Sequence, residues 1–159
     1  MSDSRSDAFV FFGATGDLAY KKIFPALYAM AKRGTLNVPV IGVGRSAWSL
    51  DQFRARAYDS LEKHGEVDHA IFDKLCRLLR YVSGDNNNPG TFSAIRRGLG
   101  SCEHPAYYLA IPPALFGPVV EQLGKSGCSK GARVIIEKPF GTDLISARAL
   151  NTILLGTFP

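Results

Sequence analysis

Gly13 and Gly16, in the run Phe11-Phe12-Gly13-Ala14-Thr15-Gly16-Asp17-Leu18-Ala19, have the types and spacing to admit a phosphate group. Where a chain turns from a strand into a helix, the first amide N–H groups have no intrahelical partner. Together they carry a partial charge of roughly +0.5, so an anion binds there if the backbone can come close. A side chain at either glycine would block that approach. Ala19 is a small residue where such a helix packs on the strand, and the Thr15 hydroxyl offers a further hydrogen bond. Asp17 reads as an acid favoured in the first turn of a helix. The spacing is G-x-x-G-x-x-A rather than the common G-x-G-x-x-G, and alone it is a weak signal. Its setting strengthens it, because an apolar run precedes it and a helical pattern comes after it.

A second segment decides which dinucleotide would fit. Folds that bind NAD place Asp or Glu at the end of the second strand, where the carboxylate accepts the ribose 2′-hydroxyl. Here that strand ends Val43-Gly44-Arg45-Ser46, without an acid. Arg45 is suited to pair with a 2′-phosphate and to stack on adenine, and Ser46 adds a hydroxyl donor. The expected cofactor is therefore NADP.

The rest of the chain has to position these two segments. Ala8 to Phe12 is apolar on both faces, as a central parallel strand requires. A helix is expected from Asp17 to Arg33, with Pro25 as a source of a kink and Gly34 as its stop. Val38 to Val43 reads as a second strand, and Leu50 to Leu79 as one or two helices broken near Gly65. Arg80 to Val82 reads as a short strand, Gly84 to Gly90 as a loop, and Phe92 to Leu99 as a helix. A strand from Ala106 to Ile111, a helix from Leu115 to Lys125, a strand from Ala132 to Ile136 and a helix from Thr142 complete the pattern. Such alternation predicts an α/β fold with a doubly wound parallel sheet, a Rossmann-type NAD(P)-binding domain over residues 8–159 behind a flexible segment 1–7.

Composition agrees. The 159 residues are 46% hydrophobic and 21% charged, with 19 Lys and Arg against 14 Asp and Glu. The net charge of +5 suits an anionic ligand. The basic residues are scattered, so no nucleic-acid partner is expected. No apolar run reaches membrane-spanning length, and the polar start is not a secretory signal. Cys76, Cys102 and Cys128 form no CxxC pair, which points to a reducing, cytoplasmic setting rather than a disulfide framework or a metal site. His64, His69 and His104 lie in charged or loop segments and read as surface histidines.

Four segments occur in order: Phe12-Gly13-Ala14-Thr15-Gly16-Asp17-Leu18-Ala19, Gly44-Arg45-Ser46, Tyr108-Leu109-Ala110-Ile111-Pro112-Pro113 and Glu137-Lys138-Pro139-Phe140-Gly141. The set resembles the glucose-6-phosphate dehydrogenase family from about Phe9 to Pro159. The resemblance implies an NADP-dependent oxidation of glucose 6-phosphate to its lactone, in the pentose phosphate pathway of the cytoplasm, by a homo-oligomer. It implies that Gly13, Ala14, Thr15, Gly16, Asp17, Leu18, Ala19 and Tyr20 form the phosphate turn. It places Arg45 at the 2′-phosphate and Tyr108 beside the cofactor. Lys138 is implied to contact sugar and coenzyme, Lys22 to reach the sugar phosphate, and Pro139 to shape the crossing between domains. Tyr20 departs from the family, which often has a basic residue there. The family's histidine-containing signature and catalytic histidine are implied beyond Pro159, so no catalytic residue is expected in this chain, which would bind NADP without turnover. Two other readings stay open: a free-standing NADP-binding module, and a different sugar oxidoreductase with a Glu-Lys-Pro element. The Gly-Asp-Leu-Ala turn argues against the second.

Overall fold

In the computed structural model, residues 7–85, 88–111, 115–126 and 132–135 are described. The expected elements at Lys138, Pro139 and the helix from Thr142 lie outside them, as do Pro112, Pro113 and Cys128. Among the described residues five parallel strands form one sheet in the order β3-β2-β1-β4-β5. They are β1 (Ala8–Phe12), β2 (Val40–Gly44), β3 (Leu79–Ser83), β4 (Pro105–Leu109) and β5 (Arg133–Ile135). The helices are α1 (Phe24–Arg33), α2 (Leu50–His64), α3 (His69–Leu78), α4 (Pro89–Leu99) and α5 (Phe116–Ser126).

β1 is central because every one of its side chains is apolar and buried. Strand alternation sends Phe9 and Phe11 to one face, with α1, α2 and α3, and Ala8, Val10 and Phe12 to the other, with α4 and α5. On the first face Phe11 meets Phe24 edge-on with ring centres 6.0 Å apart, and on the second Phe12 stacks on Phe92 at 5.8 Å. Each fully buried phenylalanine contributes about 1.5–3 kcal/mol of transfer free energy. From β1 the chain builds outward through β2 and β3, then crosses back to β4. The sheet order therefore reverses between β1 and β4, and a crevice opens at their carboxyl ends.

Local sequence accounts for most boundaries. Ser49 and Gln52 form a reciprocal capping box at the start of α2, and the Asp68 carboxylate caps α3. Gly34, in a left-handed conformation (φ 76°), ends α1. The break expected near Gly65 divides α2 from α3.

Five expectations change. The helix over residues 17–33 opens with a π turn at Ala19–Ile23, closed by the Phe24 N–H on the Ala19 carbonyl. Pro25 has no N–H for the Lys21 carbonyl and its ring crowds it, and the widened turn relieves both. The fourth helix starts at Pro89 within the expected loop, because the Asn88 side chain accepts from the Gly90 N–H and proline is preorganised for a first helical turn. The second strand begins at Val40, two residues later than expected, and the fourth ends at Leu109. Asp7 is not part of a flexible lead-in: its carboxylate accepts the Glu103 and His104 N–H groups at 2.6 and 2.8 Å.

Candidate functional site

The segment after β1 is fixed by backbone bonds to β2. Gly13 and Ala14 donate to the Val43 carbonyl at 3.0 and 2.9 Å, and Gly16 donates to the Gly13 carbonyl at 3.0 Å. The helix then begins with the Tyr20 N–H on the Gly16 carbonyl. Among the described residues the amides of Thr15, Asp17 and Leu18 have no backbone acceptor. These are the unspent donors of a helix start, located where the sheet order reverses.

The two glycines have different reasons. Gly13 has φ 85°, and a Cβ there would stand 2.1 Å from the Ala110 carbonyl oxygen just past β4. The fold itself excludes a side chain at Gly13, independently of any ligand. Gly16 is exposed, and a Cβ there would meet only the Gly13 carbonyl, at 3.3 Å. A Cβ at Gly16 would need the Gly13 carbonyl to give by a few tenths of an ångström, a far milder conflict than the one at Gly13. Unspent amides beside an open glycine fit the pyrophosphate of a dinucleotide.

The neighbouring residues divide between packing and exposure. Ala14 and Ala19 are fully buried, and Ala19 fills the expected small-residue position of the helix. Thr15 lies over the end of β2, with its methyl and hydroxyl close to Gly44. Asp17 is exposed in the first turn, and Leu18 packs at the edge of the core.

Tyr20 turns away from the phosphate turn. Its hydroxyl donates to Asp59, its carbonyl accepts from Ser60, and the Arg56 guanidinium lies 4.0 Å from its ring centre. Its side chain packs and hydrogen-bonds to α2. Lys22 is half-buried in the π turn, about 9 Å along the helix from Gly16 by the rise per residue. Tyr108, expected beside the cofactor, is 2% exposed and packs near the Phe9 ring at 6.4 Å. β4 is covered on both faces, which makes Tyr108 a core residue. His64, His69 and His104 are exposed. His64 bonds the Ser60 carbonyl at 2.7 Å and His69 stacks on Tyr58, so each has a local structural contact.

Beyond β2 lies the second part of the site. Arg45 is exposed and its Nε is 3.3 Å from Asp85 Oδ1. The Ser46 carbonyl accepts from the Tyr81 hydroxyl at 2.5 Å and from the Trp48 N–H at 2.8 Å. Burial pushes the Tyr81 phenol up to about 12, so it stays a donor at neutral pH. The Trp48 and Tyr81 rings lie 6.0 Å apart. Sequence reasoning missed Tyr81 and Asp85. The signal was present: parallel register sets Gly44 against Ser83, and the Gly84 N–H extends the ladder to the Gly44 carbonyl. The residue after each glycine is then brought alongside the other.

Known proteins share this geometry and sequence. Residues 10–159 match the family model described as glucose-6-phosphate dehydrogenase, NAD binding domain. The chain is 42% identical over 149 residues to glucose-6-phosphate 1-dehydrogenase 1 of Mycobacterium tuberculosis, covering 94% of this chain and 32% of that protein. It is 36% identical over 154 residues to the glucose-6-phosphate 1-dehydrogenase of Saccharomyces cerevisiae, covering 88% and 30%. The crystal structure of glucose-6-phosphate 1-dehydrogenase from Mycobacterium avium superimposes with a TM-score of 0.81 at 44% identity, over 98% of this chain and 34% of that one. A glucose-6-phosphate dehydrogenase in complex with its substrate glucose-6-phosphate gives 0.74 at 31% identity, over 99% and 36%. The chain spans about a third of the length of these relatives. Among the described residues no helix is long and apolar enough to cross a membrane.

Proposed function

The chain belongs to the glucose-6-phosphate dehydrogenase family, and from that premise we propose that it is the coenzyme-binding part of an NADP-dependent enzyme oxidising glucose 6-phosphate to 6-phosphogluconolactone. The observation that carries this reading is the set of unspent amides at Thr15, Asp17 and Leu18 beside the open Gly16, at the reversal of the sheet order. These groups bind the pyrophosphate. Arg45 and Ser46 bind the adenosine 2′-phosphate, which favours NADP over NAD. When bound, the coenzyme supplies a nicotinamide ring that accepts hydride from the sugar.

This chain's residues act by holding and orienting. The turn fixes the diphosphate by its backbone, so its donors need no side-chain ordering on binding. The roles given by resemblance to Lys138 and Lys22, at the sugar and its phosphate, and to Pro139, at the crossing between domains, belong to the same reading. So do a cytoplasmic location and a homo-oligomeric parent enzyme. Removal of the C1 hydroxyl proton requires a general base, and the described histidines are exposed surface residues.

Calorimetric titration of the folded chain with NADP tests the reading. A saturable heat, with weaker binding of NAD, is expected. No heat of binding on material shown to be folded by circular dichroism would end it.

A further inference from the structure

One acidic residue at the coenzyme corner has no part in the proposed function. Asp85 lies just past the extended ladder between β2 and β3: Gly84 N–H donates to the Gly44 carbonyl at 2.9 Å, and the next residue on each side is Arg45 and Asp85. The backbone therefore sets the carboxylate beside the guanidinium, and the two meet at 3.3 Å through Nε. Both side chains are largely exposed, at 77% and 59%, so the pair is not part of the core. An exposed pair adds little to folding, and stability does not account for its placement.

The role of Asp85 rests on Arg45 being the partner of a 2′-phosphate, as proposed above. A carboxylate beside that guanidinium has opposite effects on the two dinucleotides. It repels the 2′-phosphate and competes with it for Arg45. An unphosphorylated ribose instead presents a 2′-hydroxyl donor, which a carboxylate at this edge of the sheet accepts. The acid that NAD-binding folds carry at the end of the second strand is missing here, and the third strand delivers one to the same corner.

We propose that Asp85 is a selectivity-determining residue for the coenzyme: its carboxylate accepts the ribose 2′-hydroxyl of NAD and opposes the 2′-phosphate of NADP, so that the Arg45–Asp85 pair lets the protein bind both. Asp85→Asn keeps the shape and removes the charge.

The experiment is calorimetric titration of the full chain and of its Asp85→Asn and Arg45→Ala variants with NADP and with NAD. Asp85→Asn is expected to tighten NADP by about fivefold and to weaken NAD by a similar factor, the scale of one unit charge a few ångströms away in water. An unchanged ratio of the two affinities, or a ratio shifted toward NAD, overturns the proposal. Arg45→Ala separates the two failures. If it removes the preference for NADP while Asp85→Asn leaves the ratio unchanged, the role of Asp85 falls and that of Arg45 stands. If Arg45→Ala leaves the ratio unchanged, the reading of Arg45 falls and the proposal falls with it.

Discussion

The turn after β1 and the corner after β2 serve the same proposed ligand by different physical means. The turn is made of backbone: amides tied to Val43 hold it, the amides of Thr15, Asp17 and Leu18 keep no backbone acceptor, and one glycine is excluded from having a side chain by Ala110. The corner is made of side chains: an exposed arginine, a carboxylate beside it, and a half-buried phenol that holds the Ser46 carbonyl. The difference teaches that affinity for the diphosphate common to both coenzymes is built into the fold. On the proposed reading, discrimination between them falls to side chains at the corner, which can change without disturbing the turn.

The contrast can be broken first at the turn. Gly13→Val combines an unfavourable left-handed conformation with a Cβ 2.1 Å from a carbonyl oxygen. A loss of about 3 kcal/mol or more of stability is expected, with loss of binding to NAD and NADP alike. Denaturant midpoints read beside coenzyme titrations check both effects. Arg45→Ala probes the other side. NADP should weaken by about 1.5–3 kcal/mol, as for a charge-assisted pair, with NAD and the denaturant midpoint nearly unchanged. Equal loss for both coenzymes would remove the distinction between turn and corner.

Gly16→Ala sharpens the comparison within the turn itself. Stability should change by less than about 0.5 kcal/mol, as at other exposed sites, while both coenzymes weaken together. A destabilisation matching that at Gly13 would show that packing, not ligand approach, selects glycine there.

At Tyr81 the effect falls on stability, away from the turn. Tyr81→Phe removes one donor from the Ser46 carbonyl and should cost about 0.5–1.5 kcal/mol. Its phenol is raised from 10 to about 12 in the folded chain by burial. The unfolded chain therefore releases this proton first, and the associated stability, complete below pH 10, is lost as pH rises toward 12. Denaturation at pH values either side of 10 should show a shallower alkaline decline in Tyr81→Phe than in the parent.

Residues whose role is set by near neighbours in the chain were legible in the sequence. β1 is apolar throughout and must be covered on both faces, and the glycine turn after it is a consequence of that. The division of Leu50 to Leu79 was legible from Gly65. Residues whose partners come from far along the chain were not. Tyr20 looked like part of the phosphate turn until α2 brought Asp59 and Ser60 against it. Tyr108 has the same composition cue as a rim aromatic, and only the cover on both faces of β4 makes it core. The π turn needs the geometry of Pro25 relative to the preceding carbonyls, which no apolar periodicity encodes. Asp85 sat in a run that read as loop, and its place beside Arg45 depends on strand register.

The sequence contains a single tryptophan, Trp48, two positions past Ser46, with its ring centre 6.0 Å from that of Tyr81. Red-edge-excited emission from this chain therefore originates at one address, the corner after β2. The chain carries its own optical reporter there, with no label required.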